Sequence, residues 1–183
     1  MLKVTLASNE LSAIAKKIKF FACDIDGVMT DGGIILSETQ GEYKRFDVQD
    51  GMGITMIRKA GLKTGIITGR VSDVVRKRAE ELNFDEICQG FFWKEKALEN
   101  ILEKYQLAEE EIAYVGDDIL DLPVLQRVGL PIAVQNARPE VRNKCYYTSN
   151  ASGGHGAIRE IVDWLLDLRN ERQVIIDYYT NSG

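Results

Sequence analysis

Residues 19–33 read KFFACDIDGVMTDGG. An apolar run too short for a helix ends directly in two aspartates, Asp24 and Asp26, and then a glycine. Such a run is expected to be a buried strand feeding a sharp turn. Comparable runs, rich in Ile, Val and Tyr, recur at 63–68, 85–89, 112–116, 130–134 and 145–149. Segments of helical period lie between them, at 50–60, 73–83, 94–105, 118–128, 138–143 and 155–169. Asp50 is a candidate cap for the first of these helices and Gly61 its stop, while Ser72 can cap the second. Strands alternating with helices predict an α/β fold: a Rossmann-like, three-layer arrangement around a mainly parallel sheet.

One segment departs from the alternation. Residues 32–37, a turn containing Gly41, and residues 42–48 read as a β-hairpin inserted between the first strand and the next helix. An isolated hairpin is marginal in water, so Ile34, Ile35, Leu36, Tyr43 and Phe46 need something to pack on.

Two acidic clusters stand at strand ends. In the first, alternation along a strand predicts Asp24 and Asp26 on one face. The second, YVGDDILD, carries Asp117, Asp118 and Asp121. Ligands of open parallel sheets bind beyond the carboxyl ends of the strands, where the two clusters can meet. Crowded carboxylates repel unless a proton or cation neutralises them, and Mg²⁺ suits oxygen ligands. Thr68 and Arg70 in GIITGR, and Lys94 in QGFFWK, add a hydroxyl and two cations from neighbouring strand ends. That mixture suits metal-assisted phosphoryl transfer.

Composition narrows the alternatives. The 183 residues include 28 Asp+Glu, 23 Lys+Arg, three Cys and one His, for a formal net charge of −5. An acidic chain argues against a broad nucleic-acid footprint. A single histidine, His155, excludes multi-His zinc sites. Three scattered cysteines without C-x-x-C spacing read as buried thiols. No signal peptide or membrane span is legible, so a cytoplasmic protein is expected, with neither nucleic acid nor membrane as partner.

D-I-D-G, Thr68 in I-T-G-R, Lys94 and G-D-D-x-x-D resemble, in order, the four motifs of the haloacid dehalogenase superfamily. DIDGVMTDGGI, FDVQDGMGI, QGFFWKEKAL, YVGDDILDLPVL and SGGHGAIREI resemble its cap-less sugar-acid phosphatases, over roughly residues 18–167. The resemblance implies that Asp24 is the nucleophile and forms an aspartyl-phosphate, and that Asp26 is the proton donor and acceptor. Thr68 and Lys94 are implied on the phosphoryl oxygens. Mg²⁺ would be held by Asp24, the Asp26 carbonyl and Asp117, with Asp118 and Asp121 holding its waters or orienting Lys94. The implied substrate contacts are Asp26, Arg70, Arg78, Lys94 and the loop Asp47, Val48, Gln49, Asp50 and Gly51.

The implied substrate is a small sugar-acid phosphate. 3-Deoxy-D-manno-octulosonate 8-phosphate is expected, in lipopolysaccharide precursor synthesis, with a sialic-acid-type 9-phosphate as the alternative. A phosphoacceptor signalling module and a non-catalytic oligomer are the readings of another class. Each site residue also has a plainer reading. Asp118 and Asp121 can complement a helix N-terminus, Lys96 can replace Lys94, and Arg78 can pair with Glu80 or Glu81. Thr55 stands where some relatives have Arg, and His155 reads as structural or as part of a substrate loop.

Asp26 and Thr68 are 42 residues apart, and Thr68 and Lys94 are 26 apart, which leaves no room for a cap domain. The chain is therefore expected to be one domain over 1–183, with the hairpin at about 32–48. Hairpins of several subunits would roof the sites, and the resemblance implies a homotetramer. The tail at about 169–183 can extend the last helix, add a strand or reach a neighbour.

Overall fold

The computed structural model describes residues 6–39 and 41–181. Six parallel strands form the sheet: β1 (Phe20–Cys23), β4 (Lys63–Thr68), β5 (Glu86–Gln89), β6 (Ile112–Gly116), β7 (Leu130–Ala133) and β8 (Tyr147–Thr148). Their order is β5-β4-β1-β6-β7-β8. Central β1 pairs Phe20 with Lys63 on one side and with Ile112 on the other, so β4 and β6 run only one or two residues past the end of β1. Asp24, Thr68 and Asp117 thereby emerge at one edge. β2 (Ile35–Ser37) and β3 (Gly41–Tyr43) form the separate antiparallel hairpin.

The helices are α1 (Ser8–Lys17), α2 (Val48–Lys59), α3 (Asp73–Glu81), α4 (Lys94–Tyr105), α5 (Leu122–Leu125), α6 (Pro139–Arg142), α7 (Ala157–Arg169) and α8 (Arg172–Asn181). α7 buries Ile158, Ile161, Val162, Leu165 and Leu166, an i, i+3, i+4, i+7, i+8 stripe, and packs beside α1 and α2. α4 buries Ala97, Leu98 and Ile101 and packs near α5 and β4. Fully buried Phe20, Phe21, Ile66, Ile67, Val115 and Ile132 form the middle of the core.

Several expectations need correction. β1 stops at Cys23, so strand alternation does not align the two aspartates. The amides of Val28, Met29 and Thr30 all donate to the Ile25 carbonyl, and from this tight turn Asp26 lines the same cleft as Asp24. The first helix after the hairpin starts at Val48, capped by Asp47, whose Oδ1 accepts from the Gln49 amide at 2.7 Å. Asp50 caps a different helix. Its Oδ1 accepts from the Arg159 amide in the first turn of α7, at 3.0 Å. Residues 118–128 are not one helix but a single tight turn at Ile119–Asp121 followed by α5. The last long helix begins at Ala157 rather than 155, because Gly154 and Gly156 adopt left-handed φ values of 69° and 86°. The strands of the hairpin and of 145–149 are shorter than expected.

The tail forms its own helix, α8, after left-handed Asn170. Ile175 anchors it, and Arg172 pairs with Asp163 at 3.2 Å; residues 182–183 of the expected tail lie outside the described residues. Cys23, Cys88 and Cys145 are buried thiols. No described helix is long and apolar enough to cross a membrane.

Candidate active site

The strand ends enclose a cleft of about 190 Å³ lined by Asp24, Asp26, Thr68, Gly69, Arg70, Lys94, Asp117, Asp118, Leu120 and Asp121. A larger hollow of about 450 Å³ lies where β4 begins, among Arg58, Lys63, Asp85 and Tyr179, away from the carboxylate cluster.

Asp24 is the first residue past β1, and its amide still bonds to the Val115 carbonyl of β6 at 3.0 Å. That bond fixes the backbone of a side chain that is nearly buried. Oxygens of Asp24, Asp117 and Asp121 lie within 4.8 Å of one another. Lys94, the first residue of α4 and buried, places Nζ 3.0 Å from Asp24 Oδ1 and 2.6 Å from Asp121 Oδ1. Lys96 is exposed, so Lys94 is the lysine that enters the cleft. Thr68 ends β4 with its Oγ1 accepting from the Arg70 amide at 3.4 Å.

The carboxylates of the second cluster differ in what they can do. Asp121 is wholly buried and committed. Its Oδ1 accepts from Lys94 and from the Tyr114 hydroxyl at 2.7 Å, and its Oδ2 from the amides of Asp117 and Asp118 at 2.9 and 3.1 Å. These four contacts orient Lys94 and tie the loop together. Asp118 accepts from the Ile119 amide at 2.7 Å, as a cap, and lines the cleft mouth. Oδ1 of Asp117 is buried and accepts no hydrogen bond, and Oδ1 of Asp24, also buried, has only the Lys94 ammonium beside it. Buried acceptors of this kind are costly unless satisfied, and a hard cation satisfies two at once.

The charge balance agrees. Burial pushes the Asp117 carboxyl up to about 8, with Asp24 and Asp121 adding repulsion. Burial pushes Asp24 up to about 7 despite the Lys94 charge. Burial works against the Lys94 charge, but Asp24 and Asp121 outweigh it and hold its pKa above the ordinary value. One ammonium thus faces three carboxylates, and the residues present fit a divalent cation.

Gly27 lets Asp117 reach this position. Its φ is +90°, and a Cβ there would stand 2.2 Å from Asp117 Oδ2. Gly27→Ala is expected to displace that carboxylate and weaken Mg²⁺ binding at least tenfold. Isothermal titration with Mg²⁺ checks this, and an unchanged affinity would show that Asp117 is not a ligand.

The remaining expected residues are only partly gathered. Arg70 reaches the cleft, with Nε 3.6 Å from Asp26 Oδ2. Arg78 does not line it; it pairs with Glu81 at 2.9 Å and lies across Gly51, where a Cβ would meet its Nη2 at 2.5 Å. Asp47, Val48, Gln49, Asp50 and Gly51 form the start of α2 and also lie outside the cleft of a single chain. Thr55 is likewise outside, bonded through Oγ1 to the Gly51 carbonyl at 3.1 Å.

The SGGHG loop is built for packing. A Cβ on Gly153 would stand 1.9 Å from the Gly27 carbonyl, and the Gly154 amide donates to Val28 at 3.1 Å. Because Asp50 already accepts from the first turn of α7, that terminus is not a vacant anion site. His155 Nδ1 lies 2.9 Å from the Gly153 carbonyl and Nε2 3.3 Å from Arg45, which makes it a loop brace. The sequence reading missed Tyr114, Glu42 and Lys44. Lys44 reaches Asp26 directly, and an E-x-K pair in a hairpin strand was the only available signal.

Residues 83–161 match the family model of haloacid dehalogenase-like hydrolases. The chain is 39% identical over 159 residues to the 3-deoxy-D-manno-octulosonate 8-phosphate phosphatase KdsC of Escherichia coli K12, covering 87% of this chain and 85% of that one. The fold superposes with a TM-score of 0.90, at 37% identity, on the Moraxella catarrhalis phosphatase of the same name, solved with magnesium, phosphate and KDO. That match covers 93% of this chain and 98% of the other. The cobalt-bound Haemophilus influenzae phosphatase gives a TM-score of 0.84 at 33% identity, covering 88% and 94%. With 39% identity across most of its length, the chain belongs to the 3-deoxy-D-manno-octulosonate 8-phosphate phosphatase family of haloacid dehalogenase-like hydrolases.

Proposed function

We propose that this chain is a Mg²⁺-dependent phosphomonoesterase that converts 3-deoxy-D-manno-octulosonate 8-phosphate to 3-deoxy-D-manno-octulosonate and phosphate. The observation that carries the reading is the buried cluster of carboxylate oxygens from Asp24, Asp117 and Asp121 with only Lys94 to balance it, and with the Asp117 Oδ1 left without a donor, beside Thr68 in one cleft. Asp24, the Asp26 carbonyl and Asp117 would hold the ion, which when bound offsets the repulsion between carboxylate and phosphate. An Asp24 oxygen forms the bond to phosphorus while the bond to the sugar oxygen breaks. Asp26 gives that oxygen its proton. Lys94 and Thr68 hold the phosphoryl oxygens as charge moves onto them. Water then attacks phosphorus, Asp26 takes its proton, and Asp24 is freed as phosphate departs.

Arg70, and Arg78 with residues 47–51 through a neighbouring subunit, are assigned to the sugar acid. A guanidinium suits its carboxylate. The chain acts as one catalytic domain, with the hairpin in place of a cap. Ile34, Ile35 and Leu36 are 48%, 61% and 75% exposed, a cost that burial between hairpins of a homotetramer removes. Light scattering should return four chains per particle, and a fully active monomer would remove the tetramer. Three buried thiols suit a reducing compartment, and the cytoplasm is proposed.

Steady-state phosphate release with Mg²⁺ tests the activity. The 8-phosphate should be turned over in preference to a sialic-acid-type 9-phosphate. The reverse preference would reassign the substrate, and no turnover of either would dismiss the reading.

A further inference from the structure

Lys44 lies just past β3, on a hairpin that is otherwise largely exposed, yet its side chain is fully buried. A lysine head group withdrawn from water needs compensating charge. Its ammonium contacts Asp26 Oδ1 directly and lies 3.5 Å from Glu42 Oε1. Glu42 is itself fixed by Arg70 Nη2 at 2.7 Å and by the Ser72 hydroxyl at 2.6 Å. These bonds tie the hairpin to the start of α3. Both oxygens of Asp26 are thus addressed, Oδ1 by Lys44 and Oδ2 by Arg70.

The two cations are not equivalent. The Arg70 side chain is 46% exposed and can swing toward a ligand, whereas Lys44 is enclosed. Asp26 sits in a turn beyond the end of β1, where the sheet no longer restrains its side chain. A group that must protonate a leaving oxygen, and then take a proton from water, has to stay within hydrogen-bond reach of both. A misplacement of about 1 Å can cost roughly a hundredfold in rate.

We propose that Lys44 is the positioning residue for Asp26, anchored through Glu42, so that the hairpin holds the proton-transfer group of its own chain. This inference rests on the phosphatase reading above. Its signature is dependence on the leaving group, because an alkoxide departs only with a proton whereas p-nitrophenolate departs without one.

The experiment measures the first-turnover rate of leaving-group release, before water attacks phosphorus, for 3-deoxy-D-manno-octulosonate 8-phosphate and for p-nitrophenyl phosphate. The enzymes are wild type, Lys44→Met, Lys44→Arg, Asp26→Asn and the double variant Asp26→Asn/Lys44→Met. Lys44→Met should lose about a hundredfold on the sugar phosphate and less than about fivefold on the aryl ester. Asp26→Asn should show the same pattern, and the double variant should be no worse than Asp26→Asn alone. Lys44→Arg should recover part of the loss. If Lys44→Met does not fold, the charge-balanced Glu42→Gln/Lys44→Met takes its place. Equal losses on both esters, additive losses in the double variant, or an unchanged rate of leaving-group release would overturn the inference. A wild-type enzyme inactive on both esters would instead overturn the phosphatase reading.

Discussion

Asp24→Asn is expected to lower phosphate release by roughly four orders of magnitude or more, because the amide cannot form the bond to phosphorus. The same substitution is expected to stabilise the metal-free protein at alkaline pH. Burial raises Asp24 to about 7 and Asp117 to about 8 in the folded state. A raised carboxyl contributes stability that is fully present below its unfolded value and is lost as pH rises through its folded value. Metal-free wild type should therefore melt progressively lower between about pH 4 and pH 8. Asparagine at 24 removes its share of that loss, on the order of a few kcal/mol. Calorimetry in EDTA should show the variant melting above wild type at pH 8 and close to it at pH 4. A variant that melts below wild type at pH 8, or keeps its turnover, would contradict the role given to Asp24.

Asp121→Ala carries the second large effect, and it acts through structure first. The carboxylate receives Lys94 and Tyr114 on one oxygen and two backbone amides on the other, all out of water. Its removal leaves a buried ammonium without one of its two counter-charges, a loss of roughly 3–5 kcal/mol, and strands two amides. For a chain of this size the melting temperature should fall on the order of 10 °C. Turnover should fall at least a hundredfold as Lys94 loses its orientation. Asp118→Ala is the internal comparison: it removes only the cap of a short turn, worth about 1 kcal/mol. If Asp121→Ala melted within about 2 °C of Asp118→Ala, the hub assignment would be wrong.

The contrast between these neighbours shows where the sequence stops being readable. Both are aspartates in G-D-D-x-x-D, three positions apart, and both were open to a metal role or a helix-end role. The folded chain separates them by supplying Tyr114 and Lys94 from other elements. Asp50 repeats the lesson: it looked like the cap of its own helix but bonds to one 109 residues away. Lys44 gave almost no signal, because its partner is 18 residues distant across a hairpin and a turn.

Short-range rules did reach far. Apolar runs ending in acid and glycine specified the strands and the cluster at their ends, because burial and turn formation depend on neighbouring residues. Ser72 as the α3 cap and Gly61 as the α2 stop were legible for the same reason. The sequence by itself determined a parallel sheet with Asp24, Thr68, Lys94 and Asp117 at one edge. Only the tertiary structure decided which acids are crowded together in the cleft, which are spent on hydrogen bonds, and that Asp26 contacts the hairpin. Those assignments depend on burial and on partners distant along the chain, so they exist only after the strands pack and water is excluded.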